Sequence, residues 1–388
     1  MEIRITTDDD LERVKWLWAY CFESYEPFFS WYFREYYQVE NTLGAYEKSK
    51  LVSCLQLIPY KLYLRGQVLP TSYIVGVASF PEARRGGTIE ILLKASLEEM
   101  RRRGHAVSLL MPFKAGFYYP YQWEICYHHY KFNINLEDLR PVSLSYGEFT
   151  PVMGMENIAD LNQVYNQFVN NKHGYIVRDE RNWRLALEEH QGEKGFTYIL
   201  KHQGVPKGYV MYYLKENQLL VREMAYSNFE AQQSLFQFLY NHRSQVAKLE
   251  WNAPLDDMSY FFLTDPKQGI TLYPFLTARI VDVQQALTQI FYPQEIEGEV
   301  ILKIEDNLAP WNNQIFRVHV RDQQAEVYPV DQEPSIIIGI GAFTQLLFGR
   351  LSIHDLLNIK RLTINHPEDV EFLGSLFPVC NNYINEYY

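Results

Sequence analysis

TSYIVGVASFPEARRGGTIEILLKASLEEM, residues 71–100, reads as a strand, a basic glycine turn and a helix without a break. Thr71–Phe80 is apolar and β-branched, the pattern of a buried strand. From about Gly87 to Arg103, the residues Ile89, Leu92, Leu93, Ser96, Leu97 and Met100 recur at spacings of three and four, which puts them on one helix face. Between the two lies Arg84-Arg85-Gly86-Gly87. Glycine accepts positive φ and lets a ligand approach the backbone closely. A helix start offers free N–H groups and the positive end of the dipole. Arginine adds forked donors for phosphate oxygens. The combination suits pyrophosphate or another polyanion; on these four residues alone, a plain basic turn before a helix stays open. Neither GxxxxGK[ST] nor GxGxxG is present, which excludes a Walker loop and the dinucleotide fingerprint.

Downstream, Val107–Met111 reads as a buried strand, and MPFKAGFYYPYQWEI (111–125) presents Phe117-Tyr118 on a short helix before a strand at Glu124–Phe132. A phenol with a pKa near 10 is protonated at neutral pH and can protonate a leaving group, so Tyr118 is a candidate acid. With 30 tyrosines in the chain, its case rests on its place relative to the anion turn. Upstream, Asp8–Phe22 has helical spacing and an acidic start. Strands are expected at Thr42–Tyr46, Leu51–Ile58 and Lys61–Leu64, with a turn at residues 65–67. The aromatic run Phe28–Phe33 fits a cleft wall or a core helix equally well. Asp8–Asp10, Glu23 and Glu26 would attract a cationic amine or serve as a solvated face.

The chain has 388 residues, enough for two or three domains, and a net charge of −11. That acidity argues against nucleic acid, whose binding rests on phosphate neutralisation, and suits a cationic small molecule. The four cysteines form no CxxC pair, so neither a zinc ribbon nor a disulfide scaffold is expected, and a reducing cytoplasmic setting fits. No metal is expected: His128-His129 lack companions at ligand spacing. The acidic start excludes a signal peptide, and the most apolar stretch, residues 335–349, is too short and too polar for a membrane span.

Residues beyond about 141 repeat the order of helix, strand meander, helix and strand, but VREMAYSN (221–228) runs into its helix with neither glycines nor arginines, and Glu230 sits where it would repel phosphate. This second unit is therefore expected to lack the first unit's anion site and to act as scaffold and pocket wall. From about Val283 come short strands, an apolar β-branched run at 335–341 and two helices. That run either lines a lipid tunnel or is ordinary core. The chain closes on Tyr383-Ile384-Asn385-Glu386-Tyr387-Tyr388, an apolar, aromatic stretch expected to be docked.

The turn at Arg84–Ile89 and the segment Phe117–Glu124 together resemble the GNAT acetyltransferases, whose R/Q-x-x-G-x-G/A turn binds the acetyl-CoA pyrophosphate and whose downstream tyrosine is the acid. Here Ile89 and Gln122 stand where small residues are usual. GVASFPEARRGG (76–87), TARIVDV (277–283) and IIIGIGAFTQLLFGRLS (336–352) resemble the Eis (enhanced intracellular survival) branch. The resemblance implies an α/β (α+β) chain of tandem GNAT folds followed by a sterol-carrier-protein-like α/β domain. The units would be residues 1–145 (catalytic), 146–284 (degenerate) and 285–388. It implies an N-acetyltransferase in which a primary amine attacks the thioester of acetyl-CoA directly. Backbone N–H groups of the strand Ile74–Phe80, at Val77 and Ser79, would hold pantetheine and polarise the carbonyl as an oxyanion hole does. Arg84, Arg85, Gly87 and Thr88 would hold the pyrophosphate. Tyr118 would be the acid, and the carboxylate of Tyr388 the base. It further implies aminoglycoside acceptors and a homo-oligomer, a hexamer built from trimers. Action on protein lysine or polyamines, and a non-catalytic CoA- or lipid-binding role, remain the alternatives.

Overall fold

The computed structural model describes every residue of the chain except Arg85 and Ser143, and the Pro141 side chain also lies outside the description. The first unit runs β1 (Glu2–Ile5), α1 (Leu11–Cys21), α2 (Phe28–Glu35), β2 (Thr42–Glu47), β3 (Lys50–Leu64), β4 (Gln67–Ser79), α3 (Thr88–Arg102), β5 (Val107–Leu110), α4 (Ala115–Tyr118) and β6 (Glu124–Asn135). The second runs β7 (Glu148–Pro151), α5 (Ile158–Val169), α6 (Glu180–Gly192), β8 (Phe196–His202), β9 (Val205–Lys215), β10 (Gln218–Tyr226), α7 (Phe229–Tyr240), β11 (Lys248–Ala253) and β12 (Ile270–Ile280). The third runs α8 (Val283–Thr288), β13 (Gly298–Glu305), β14 (Ile315–Arg321), β15 (Gln324–Pro329), β16 (Ile336–Gly339), α9 (Ile340–Leu347), α10 (Ile353–Asn358), β17 (Leu362–Ile364) and α11 (Glu368–Leu376). No helix among the described residues is long and apolar enough to cross a membrane.

Sheet order departs from chain order. One sheet runs β1-β2-β3-β4-β5-β12-β6-β11-β10-β9-β8-β7 through both first units, and a second runs β15-β14-β13-β16-β17. Strand β12 closes the first unit: Thr277–Ile280 pair with Leu110–Val107, and Ile270–Ala278 pair along β6. The far end of β6 pairs with β11. A cut between residues 145 and 146 thus divides the chain but not the sheet.

The strands expected at Leu51–Ile58 and Lys61–Leu64 are one strand, β3, running through Pro59. Proline lacks the N–H that a central strand needs. Here β2 reaches only Gln56, and past it residues 175–177 bond Lys61 and Tyr63 on the same side, so Pro59 takes no donor from the β4 ladder. The apolar run of the third unit is ordinary core: α9 is buried along its whole length. Fully buried Arg279 on β12 pairs with fully buried Asp306 at 2.7 Å and locks the third unit to the shared sheet.

Candidate active site

Strands β4 and β5 pair in parallel only over Thr71–Ile74 and Val107–Leu110. Past that point β4 continues to Ser79 while β5 turns away at Met111-Pro112, so the two splay apart. On its other side β4 bulges: Val75 pairs with Gln56 and Ala78 with Cys54, leaving Gly76 and Val77 opposite Leu55 alone. Gly76 has φ of +63°, and a Cβ there would come within 2.7 Å of the Trp18 ring. The main chain of Val75–Val77 therefore faces a gap rather than a neighbouring strand.

That gap opens into a cavity of about 690 Å³. Ile74–Val77 and Leu110–Phe113 form its floor, and Trp18, Phe28, Trp31, Tyr32 and Tyr36 its aromatic wall. Both readings of the aromatic run hold, because Trp31–Phe33 are buried on α2 while Phe28, Trp31 and Tyr32 also face the cavity. The second unit adds Leu220–Arg222 and Glu250–Asn252.

Beyond the end of β4, Gly87 is the residue before α3, with φ of +75° and no side-chain cap. A Cβ there would meet nothing within 4 Å, so the helix start is open. The Ile91 N–H bonds the Gly87 carbonyl, and the N–H groups before it are the free donors of the first turn. Arg84 is exposed; its Nε donates to the Ser79 carbonyl at 3.1 Å, which holds the guanidinium against the loop. The Thr88 hydroxyl is buried and committed to the Ala83 carbonyl, so only its main chain is left for a ligand. Ser79 is turned inward: its hydroxyl pairs with that of Ser53 at 2.7 Å, and it does not line the cavity, whereas Val77 does. Arg85 lies outside the described residues.

Tyr118 lines the cavity on α4, its ring 3% exposed and set edge-on against Phe117 and Phe113. Burial pushes its phenol up to about 12. Tyr388 lines the same cavity. Its ring stands perpendicular to those of Tyr36 and Tyr73, and its hydroxyl bonds that of Tyr60. Two segments 270 positions apart in the chain thus meet in one chamber.

Of the chamber's acids, sequence reasoning singled out Glu23 alone. Glu23, Glu189, Glu193 and Glu250 line it, against Lys215 and Arg222. Burial, then the Glu193 charge, raises the Glu23 carboxyl. Burial raises that of Glu189, against the pull of Arg222. Tyr25 donates to Glu193 at 2.5 Å. The other acids singled out in the N-terminal segment are placed elsewhere: Asp10 accepts from Thr7 and Tyr46, and Glu26 from Ser30. Glu124 pairs with Arg361 of the third unit at 2.6 Å. A charge run in the sequence marks Glu23 but says nothing of Glu189 and Glu193, which a different unit supplies.

The second unit repeats the splay without the anion site. Strand β10 shifts register against β9 between Val221 and Glu223 and pairs with β11 only over Gln218–Leu220. At the start of α7, however, the Asn228 side chain accepts from the Ala231 N–H at 2.9 Å, filling the position that a phosphate oxygen would need.

Comparisons with known proteins agree with this geometry. Residues 2–126 and 174–280 each match an acetyltransferase (GNAT) domain, and residues 283–385 match a sterol carrier protein domain. The chain is thus built of two GNAT acetyltransferase domains and a sterol carrier protein domain, and it is an enzyme of the N-acetyltransferase class. No curated protein matches it significantly. A GCN5-related N-acetyltransferase of Anabaena variabilis superposes with a TM-score of 0.88 at 21% identity, with 100% of both chains covered. A conserved protein of unknown function from Enterococcus faecalis, a probable N-acyltransferase, gives 0.90 at 22%, covering 100% of this chain and 99% of that one. Eis1 of Mycobacterium abscessus gives 0.77 at 19%, again with 100% of both covered. At these identities the likeness is one of fold.

Proposed function

We propose that the chain is an Eis-like N-acetyltransferase that moves the acetyl group of acetyl-CoA to a primary amine of a cationic small molecule. The observation that carries this reading is the β4–β5 splay opening into a chamber that Tyr118 and several carboxylates line, with the uncapped start of α3 following the end of β4 by one short loop. The N–H groups at Gly87–Ile89, with Arg84, hold the pyrophosphate. Arg85 is placed there by its position in the sequence. The main chain around Val77 takes the pantetheine and polarises the thioester carbonyl. Ser79 serves through its backbone and its hold on Arg84, because its hydroxyl is spent on Ser53. Tyr118 gives its proton to the departing sulfur, and the carboxylate of Tyr388 takes one from the attacking nitrogen, directly or through water.

Glu23, Glu189 and Glu193 line the chamber and favour an acceptor with more than one ammonium; burial raises the Glu23 and Glu189 carboxyls, and a cation beside them restores their charge. Aminoglycosides and polyamines both meet that description. Residues 1–145, 146–284 and 285–388 act as catalytic unit, wall and clamp, within a cytoplasmic homo-oligomer. Thiol release from acetyl-CoA over a panel of aminoglycosides, polyamines and lysine peptides tests the reading. Silence across the whole panel, with acetyl-CoA bound, would turn it into a CoA-binding protein without transfer. Lengthening the chain by two glycines past Tyr388 tests the base: undiminished turnover removes that residue from the chemistry.

A further inference from the structure

The splay in the second unit is filled by the chain itself. The register shift of β10 leaves the Arg222 carbonyl outside the β9 ladder, and the Asn385 side-chain amide donates to it at 3.0 Å. Tyr387 follows, its ring 4.3 Å from the Arg222 guanidinium and its hydroxyl bonded to Asn252 on β11. The tail thus lies between β10 and β11, the place that corresponds to the gap between β4 and β5 in the first unit.

A buried ion network fixes it there. Arg178 donates to both oxygens of Glu223, at 2.6 and 2.7 Å, and its Nε reaches Glu386 at 2.9 Å. All three side chains are less than a tenth exposed. Asn385 donates to the same Glu223 at 2.7 Å, and Tyr209 also donates to it. An ion cluster this deep loses its hydration, so it is retained for geometry rather than for raw stability. From this anchor the next residues lead straight to the chamber: Tyr73 donates to the Glu386 carbonyl at 3.1 Å, and Tyr388 lies among Tyr36, Tyr60 and Tyr73.

We propose that the second unit's gap is the socket for the chain's own tail, and that Arg178, Glu223 and Asn385 are positioning residues that hold Tyr388 in the chamber that Tyr118 also lines. The proposal rests on the reading that Tyr388 takes part in the reaction. In the full chain, Asn385→Ala removes the amide given to Arg222 and Glu223, and Glu386→Gln removes one charge of the network while keeping that side chain's volume. Each lost bond to a charged group is worth roughly tenfold to a hundredfold. Hydrogen-exchange protection of residues 383–387 is therefore expected to fall at least tenfold, with acetyl-CoA affinity unchanged in calorimetry. Turnover is expected to fall about tenfold at pH 7, with the deficit closing toward pH 10, where free amine needs no base. Asn385→Ala alone, which leaves every ion pair in place, repeats the measurement if the double variant does not fold. Unchanged protection overturns the socket. Lost protection with full turnover, or with a deficit equal at every pH, overturns the positioning role. If lengthening past Tyr388 leaves turnover whole, the base reading fails and takes the positioning role with it. If lengthening abolishes turnover while the double variant keeps both protection and rate, the socket alone is wrong.

Discussion

Tyr118→Phe deletes one oxygen from the chamber wall. Among the described residues that hydroxyl has no hydrogen-bond partner, and the ring's edge-on contacts with Phe113 and Phe117 do not involve it. The fold should therefore change by no more than about 0.5 kcal/mol. The kinetic cost is larger and follows from matched acidities. A phenol held near 12 is about 3.5 units weaker than a water-exposed thiol near 8.5, so handing its proton to a hydrated thiolate runs uphill by about 5 kcal/mol. A buried thiol behaves differently: burial carries Cys54 of this chain to about 12, level with Tyr118. The transfer is thus close to neutral only if the sulfur leaves into a dry pocket, where no water can substitute for the tyrosine. Loss of a positioned proton donor costs about 10²–10⁴-fold, or about 3–5 kcal/mol of barrier. Thiol release under saturating amine measures the rate, and calorimetry checks that acetyl-CoA still binds. A Phe variant at wild-type turnover would show that the sulfur leaves wet or by another donor, and the matching argument would fall.

Arg84→Ala combined with Gly87→Glu removes a forked cation and places a carboxylate at the open helix start; acetyl-CoA affinity should drop more than about 100-fold, by calorimetry, while the melting temperature moves by a few degrees. Because Asn228 caps α7, the wild-type titration should give one acetyl-CoA per chain, and a second site would contradict the account of that helix. Glu193→Gln should raise KM for a polycationic acceptor roughly two- to fivefold with kcat nearly constant, an effect that 0.5 M salt should erase. Burial alone would raise Glu223, but Arg178, Tyr209 and Asn385 hold it down to about 2. A depressed carboxylate contributes stability that is present above its unfolded pKa and is lost as the pH falls through its folded one. Stability against unfolding should therefore fall steadily from pH 5 to pH 2, and Glu223→Gln should flatten that limb.

The anion turn was legible because its signals are local: a glycine with positive φ, an arginine and an amphipathic helix lie within twenty residues. Tyr118 was legible for the same reason, standing one strand further on. The acid wall and the tail's anchors were not. Glu386 and Arg178 are 208 positions apart, and Tyr25 and Glu193 are 168 apart, so no spacing rule joins them. Strands β11 and β12 escaped sequence reading as well. The first half of β12, Thr271–Pro274, is exposed, carries a proline and passes through bulges, which mimics a loop until its partner β6 is known. Ser79 shows the limit of a strand pattern: it marks which main chain faces a ligand but not that the Ser79 hydroxyl pairs with Ser53 on a neighbouring strand.

The placement of β12 sets a timetable for the growing chain. Thr277 pairs with Leu110, 167 positions earlier, so the first unit's part of the sheet has a vacant central lane until residue 280 has left the ribosome. At about 5–20 residues per second, that leaves the edges of β5 and β6 uncovered for roughly ten to thirty seconds, a window in which exposed strands invite foreign pairing. Cutting the gene after the first unit would make that vacancy permanent. The enzyme's smallest foldable piece is therefore set by β12, the last strand in the chain to join that sheet, and it includes the whole of the second unit.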